Sequence, residues 1–193
     1  MTIYRKWGKR LVDVILILVG SPVIVIVVCC SALWVWGGSG VSPFFCSERI
    51  GSRGKKFRCW KIRTMRVDTP ILSTDKLVSG ESYLLRGGRL LRKWSLDELP
   101  QAYNILKGDM SLVGYRPALP SQTWINDQRE QLGIHVDRPG LTGLAQVNGR
   151  DDLSDAQKIE YDTDYASRIC LGRDLQIILR TFLVVVKNKG IHY

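Results

Sequence analysis

The sequence predicts an α+β fold, mainly helical. A membrane helix-break-helix over residues 1–42 precedes one small domain over residues 43–193, with amphipathic interfacial helices and a short hairpin. Three observations predict it. Residues 11–36 are almost continuously apolar, a Ser21-Pro22 pair sits near the middle of that run, and everything after it is polar, basic and punctuated by turn signals. The mean hydropathy of −0.03 is therefore an average of one greasy segment and a polar remainder. About 150 residues follow position 42, enough for one compact domain and no more.

The apolar run is interrupted only by Asp13, Gly20, Ser21, Pro22 and Ser31. At about 1.5 Å per residue, a straight helix of that length would cross a bilayer. Proline removes a backbone hydrogen bond and bends a helix, so Ser21-Pro22 predicts a break. Basic residues flank both ends: Arg5, Lys6, Lys9 and Arg10 before it, and Arg49, Arg53, Lys55, Lys56, Arg58, Lys61 and Arg63 after it. Cytoplasmic flanks collect lysine and arginine, so both ends are expected on the same side of the membrane. A kinked single span satisfies the hydropathy equally well. A signal peptide does not, because the run is too long and no small-x-small cleavage site follows it. Asp13 fits either topology, pairing with Lys9 or Arg10 near the interface.

The later elements follow from local pattern. Turn signals at Gly51 and Gly54 and the alternation of Phe57–Met65 predict a hairpin within residues 43–66. Residues 67–88 read as irregular. Helices are expected over about 89–94, 96–107, 120–133 and 155–167, with a loop and short strand over 138–150. Leu175–Val186 is apolar but too short to span, so it is a buried or an interfacial helix.

Composition narrows the partners. The formal net charge of +10 calls for an anionic one, and beside an embedded helix lipid headgroups fit better than nucleic acid. The five cysteines show no CxxC pair and no metal-ligand spacing, as in a reducing compartment. Two histidines, His135 and His192, give little support to a histidine-rich metal site or a Ser-His-Asp triad.

The stretch from Ser95 to Gly108 carries the chemistry. Asp97 and Glu98 stand at the head of a helix just after a basic run of Arg86, Arg89, Arg92 and Lys93. Acids beside concentrated arginine suit an anionic substrate, such as a phosphate with a divalent metal. Ser95-x-x-Glu98 also has the spacing of a capping box, which would give Glu98 only a structural task. Pro100 fits poorly inside a first turn and predicts a kink or a second helix start there. Leu96, Leu99, Tyr103 and Leu106 fall at helical spacing and are expected to face inward, with Lys107-Gly108 as the helix stop. Adjacent helical residues point about 100° apart, so the two acids need different tasks.

These residues resemble a known family. The blocks Arg49-x-Gly51-x-x-Gly54, Lys61–Met65, Arg92 with Ser95–Gln101, Lys107–Gly114, Arg116-Pro117, Arg138–Gly143, Gln146–Arg150 and Asp162-x-x-Tyr165 follow one another as in the monotopic bacterial phosphoglycosyl transferases. The chain resembles the small version of that family, without extra spanning helices. The resemblance implies transfer of a sugar-1-phosphate from a UDP-sugar to polyprenol (undecaprenyl) phosphate, with UMP released. The two-step scheme would pass through a phosphosugar ester on Asp97 and initiate glycan assembly at the cytoplasmic face of the bacterial inner membrane. It implies Asp97 as nucleophile and Glu98 as its partner, both toward Mg2+. Arg92, Arg116 and Arg150 are implied at the phosphates, while Lys61 and Arg63 either contact substrate or brace the core. Ser21-Pro22 matches the re-entrant break, and Lys9 and Arg10 a headgroup-facing pair. Asp162 and Tyr165 are expected to be structural. Membrane lipids are the other partners, and symmetry permits a homodimer.

The chain departs from the family pattern at Tyr115, where proline is usual, at Ser47 for glutamine and at Leu144 for tryptophan. Loss of that proline is expected to loosen the backbone around Arg116. Two other readings remain: a nucleotide-sugar glycosyltransferase releasing UDP, and a basic membrane-anchored binding module.

Overall fold

A computed structural model of the chain describes residues 2–72 and 80–187. Part of the 67–88 stretch, and His192, therefore lie outside the described residues. A short turn at Tyr4–Gly8 leads into α1, Lys9–Ser39. The hairpin follows as β1, Phe44–Ile50, and β2, Lys56–Ile62, antiparallel with Phe44 opposite Ile62. Next come α2 (Gly88–Lys93), α3 (Gln101–Lys107), β3 (Ser111–Val113) and α4 (Thr123–Gln131). The chain then forms β4 (Gly140–Thr142), α5 (Leu144–Asn148), α6 (Asp155–Ser167) and α7 (Leu171–Lys187). The α+β class holds. Helix α5 replaces part of the loop expected over 138–150.

The helix α1 continues through Pro22, so Ser21-Pro22 is not an interruption of helical structure. Proline leaves the carbonyl of Leu18 without its helical N–H, and the Ser21 hydroxyl donates to that oxygen at 2.8 Å. A serine before the proline thus repairs the bond that the proline deletes. Together with the preceding turn, α1 is long and apolar enough to cross a membrane, the one such helix among the described residues.

One side of α1 is docked along the domain at both of its ends. Near the start, Asp13 accepts from the Ser111 hydroxyl at 2.7 Å and from the Leu112 N–H at 3.1 Å. Ile17 joins Cys59, Ala102, Ile105 and Met110 in one core cluster. Near the far end, Val35 packs with Ile62 and Leu91. The other side carries exposed Leu11, Ile15, Leu18, Val19, Val23, Ile26 and Leu33, with exposed tryptophans at both ends, Trp7 and then Trp34 and Trp36.

Lys9 and Arg10 each meet a partner within the protein. Lys9 is buried and donates to Asp174 at 2.7 Å, where Tyr4 and Tyr165 also donate, which ties the start of the chain to α6 and α7. Arg10 donates to the carbonyls of Ile105 and Leu106, capping the last turn of α3. Both cations answer a charge or carbonyl inside the protein that sequence proximity could not reveal.

The apolar face expected for 96–107 holds at Leu96, which packs on Val35, Ile62 and Leu91, but not within α3. Gln101, Ala102, Asn104 and Ile105 are buried, whereas Tyr103 and Leu106 are exposed. Asn104 explains the orientation: it accepts from the Trp60 N–H at 3.1 Å and donates to the Arg58 carbonyl at 2.7 Å, pairing with the edge of β2 like a short strand. Pro100 does begin a second helix, and Gly108 ends it with φ of 97°. The capping box lies elsewhere, at Ser154 and Gln157 on α6.

Strands β3 and β4 run parallel. A Cβ on Gly114 would come within 2.6 Å of the Arg138 carbonyl, and Gly140 and Gly143 meet Gly114 in turn, so glycine lets the two segments touch. Behind them, Arg129 and Asp162 form a buried ion pair at 2.7 Å. The Arg129 guanidinium lies 4.9 Å over the Tyr115 ring, and His135 packs on that ring at 5.3 Å.

Burial, with Arg129 adding to it, pushes the His135 imidazole down to about 4. Folding therefore takes up an unprotonated histidine, and the unfolded chain binds the extra proton between about 4 and its ordinary value near 6.5. Stability is expected in full above that window and to fall as pH drops through it. Denaturant unfolding at a series of pH values should show this slope, and His135→Phe should flatten it.

Candidate active site

Asp97 and Glu98 stand on a tight turn rather than inside a regular helix. Helix α2 ends at Lys93, Ser95 adopts a left-handed conformation with φ of 54°, and Leu96–Glu98 form a single 3-10 turn. Ser95 forms no cap with Glu98. Its hydroxyl instead accepts from Arg150 at 3.2 Å, and Arg150 is itself left-handed with φ of 58°. Two non-glycine residues in this sparsely populated region, bonded to each other, mark a locally over-determined site.

The turn gives its two acids different surroundings. Both are buried, each 6% exposed. Glu98 is clamped: Lys61 donates to its Oε1 at 2.8 Å and Arg116 donates to the same oxygen at 2.9 Å, with a second Arg116 nitrogen 3.5 Å from Oε2. Asp97 lines a cavity of about 300 Å³. Among the described residues no donor hydrogen-bonds its carboxylate. The asymmetry predicted from helical geometry is thus realised as one engaged and one open carboxylate.

Electrostatics follow the same division. Burial raises the Glu98 carboxyl, but Arg116, Lys61 and Arg150 outweigh it and hold Glu98 well below the usual range. Burial also raises Asp97, and here Glu98 reinforces the rise while Lys61, Arg92 and Arg150 oppose it. The net direction is upward.

Nine lysine and arginine side chains line the cavity against two carboxylates, Asp97 and Asp151. Such an excess suits a ligand with several negative charges. Arg92, Arg116, Arg150, Lys61 and Arg63, anticipated from sequence, all reach it. Arg63 also braces the approach to β1, donating to the carbonyls of Ser42 at 2.9 Å and Phe44 at 3.3 Å. Lys61 donates to Glu98, and its charge acts on Asp97 as well.

Tyr115 does not loosen Arg116. It is buried, and the Arg129 that its ring supports donates to the Arg116 carbonyl at 2.9 Å. The smaller Ser47 has a use as well. Its hydroxyl accepts from Arg49 at 3.3 Å, while Arg49 also donates to the Pro117 carbonyl at 3.2 Å. Arg49, Arg129, Gln146, Asp151 and Lys158 line the cavity and were not singled out from sequence as site residues. Arg49 and Gln146 lie within the quoted motif blocks, which was the available signal; Arg129, on the mixed surface of α4, had none.

The family model for bacterial sugar transferases matches residues 4–188. This chain belongs to that family. It is 36% identical over 171 residues to a UDP-galactose-lipid carrier transferase of Erwinia amylovora, covering 78% of this chain and 35% of the relative. It is 35% identical over 196 residues to the UDP-glucose:undecaprenyl-phosphate glucose-1-phosphate transferase of Escherichia coli K12, covering 94% and 41%. It is 36% identical over 166 residues to the exopolysaccharide production protein ExoY of Rhizobium meliloti, covering 78% and 73%. The chain thus spans about a third of the first relative's length and about three quarters of the last.

Removing the charge of Glu98 should lower the Asp97 pKa, because Glu98 repels the Asp97 anion. In the metal-free protein, a carbon-13 NMR titration of Asp97 should show a midpoint above the ordinary carboxylate value near 4. Glu98→Gln should move that midpoint to lower pH.

Proposed function

We propose that this bacterial sugar transferase moves a sugar-1-phosphate from a UDP-sugar to polyprenol (undecaprenyl) phosphate, releasing UMP and initiating glycan assembly. The observation that carries the reading is the unengaged Asp97 carboxylate in a cation-lined cavity, beside a Glu98 that is fully committed to Lys61 and Arg116. The donor and acceptor in the name of the Escherichia coli relative support the same pair of substrates.

The chemistry needs little beyond positioning and charge. An Asp97 oxygen attacks the β-phosphorus, a bond to Asp97 forms, and the bond to the α-phosphate breaks to expel UMP. An oxygen of polyprenol phosphate then attacks the same phosphorus, and the Asp97–phosphorus bond breaks to regenerate the carboxylate. An ionised carboxylate needs no general base. Its handicap is repulsion by the diphosphate, which Arg92, Arg116 and Arg150 offset.

The family resemblance also implies Mg2+. Asp97 offers it one open carboxylate, whereas Glu98 fits poorly as a ligand because its oxygens already face Lys61 and Arg116. No cluster of three acidic, histidine or cysteine side chains stands ready for a metal among the described residues. The residues fit an ion carried mainly by substrate phosphates, with Asp97 as the protein's carboxylate. When bound, it would neutralise diphosphate charge.

The reading places α1 as a re-entrant helix that enters and leaves one leaflet. Both of its ends dock on the same domain, both carry tryptophan, and its outward side between them is exposed and apolar, while Ile24, Val28 and Ala32 on the inward side pack on the domain. A charged nucleotide sugar does not cross a bilayer, so the cavity would open on the cytoplasmic face.

Purified protein in detergent, given undecaprenyl phosphate, Mg2+ and a panel of UDP-sugars, should release UMP. Asp97→Asn should reduce this at least a thousandfold while leaving membrane insertion intact, and chelation should suppress it until Mg2+ is restored. Release of UDP, or wild-type turnover by Asp97→Asn, would overturn the mechanism.

A further inference from the structure

Gln146 lies on α5 in the cavity wall and is 7% exposed, yet neither its amide nitrogen nor its amide oxygen has a protein partner. Burying an amide without hydrogen bonds destabilises a fold, so such a group calls for a reason. The neighbouring backbone makes room for it. Its Oε1 stands 2.7 Å from where a Cβ on residue 143 would be, so glycine at 143 keeps the niche open. The helix beneath it is also well held. Val147 is in the core with Tyr165, and Asn148 accepts from Arg180 at 2.8 Å and donates to Leu144 at 2.8 Å.

The chemistry of the amide points away from phosphate. It presents one acceptor and one two-hydrogen donor side by side. Phosphate oxygens would use only the donor, and the cavity already holds an excess of cations for them. A sugar hydroxyl or an N-acyl group both donates and accepts, and satisfies the whole amide. Position agrees. Four residues on, Arg150 bonds Ser95, two residues before the Asp97 that would hold the phosphosugar.

We infer that Gln146 binds the sugar of the donor through a hydroxyl or N-acyl group and contributes to the choice of sugar. This rests on the sugar-1-phosphate transfer reading. The contact exchanges an unsatisfied amide for a substrate partner, so its effect on binding exceeds that of a hydrogen bond borrowed from water.

Gln146→Met keeps the length of the side chain and removes the amide, and Gln146→Leu serves as a second variant if the first does not fold. Three quantities are measured on each: the thermal midpoint, inhibition by UMP, and UMP release with UDP-glucose, UDP-galactose and their N-acetylated forms. The expected result is a midpoint unchanged or raised, about a tenfold fall in kcat/KM for the preferred donor, flattened preference among the four sugars and unchanged inhibition by UMP. Unaltered donor kinetics would make the amide merely structural. A fall in kcat/KM matched by a lower midpoint would do the same. Weakened UMP inhibition in step with the loss would assign Gln146 to the nucleotide and overturn the sugar assignment. Release of UDP rather than UMP by the wild type would overturn the transfer reading itself, and this inference with it.

Discussion

Two cations share one buried carboxylate at Glu98, and the arrangement of the site depends on that contact. Lys61 comes from the end of the hairpin, Glu98 from the turn after α2, and Arg116 from the segment beyond β3. One acid therefore joins three parts of the chain that are far apart in sequence. Losing a partner from such a buried cluster leaves an uncompensated charge, at a cost of about 3–5 kcal/mol. The clamp also decides what Asp97 is. With its neighbour saturated, Asp97 is left as the open acid of the turn, destabilised as an anion by burial and by Glu98.

Support for the clamp extends outward through directional contacts rather than bulk packing. Arg129 holds the Arg116 backbone and is held by Asp162 and by the Tyr115 ring. Arg150 reaches back to Ser95, both in strained left-handed conformations. The guanidinium groups are thus oriented before any ligand arrives, which is what electrostatic catalysis on a polyanion requires. Helix α1 belongs to the same unit, since its buried side shares a core with α3 and β2 while its exposed side is apolar.

Much of this was legible locally. The hairpin, the α6 helix, the restart at Pro100 and the stop at Gly108 each follow from residues within a few positions of one another. The inequality of the two acids was legible too, because it follows from the geometry of adjacent residues. The failures share one cause. Tyr103 and Leu106 read as core because apolar periodicity shows a stripe without saying what faces it, and Asn104 on the edge of β2 turned that stripe outward. The protein partners of Lys9 and Arg10 were equally out of view, since Asp174 and the end of α3 lie about a hundred residues or more away.

The sequence by itself determined the family, through ordered motif blocks, and the local elements, through turn chemistry and hydrophobic period. It also marked Asp97 and Glu98 as the acids of interest. Only the tertiary structure decided which cations each acid meets, why Tyr115 keeps Arg116 in place, and that Gln146 stands unpartnered in the cavity wall. The physical reason is range. Backbone preferences act over a few residues and leave a local trace, whereas ion pairing, desolvation and hydrogen-bond satisfaction depend on which distant segments the fold brings within about 3 Å.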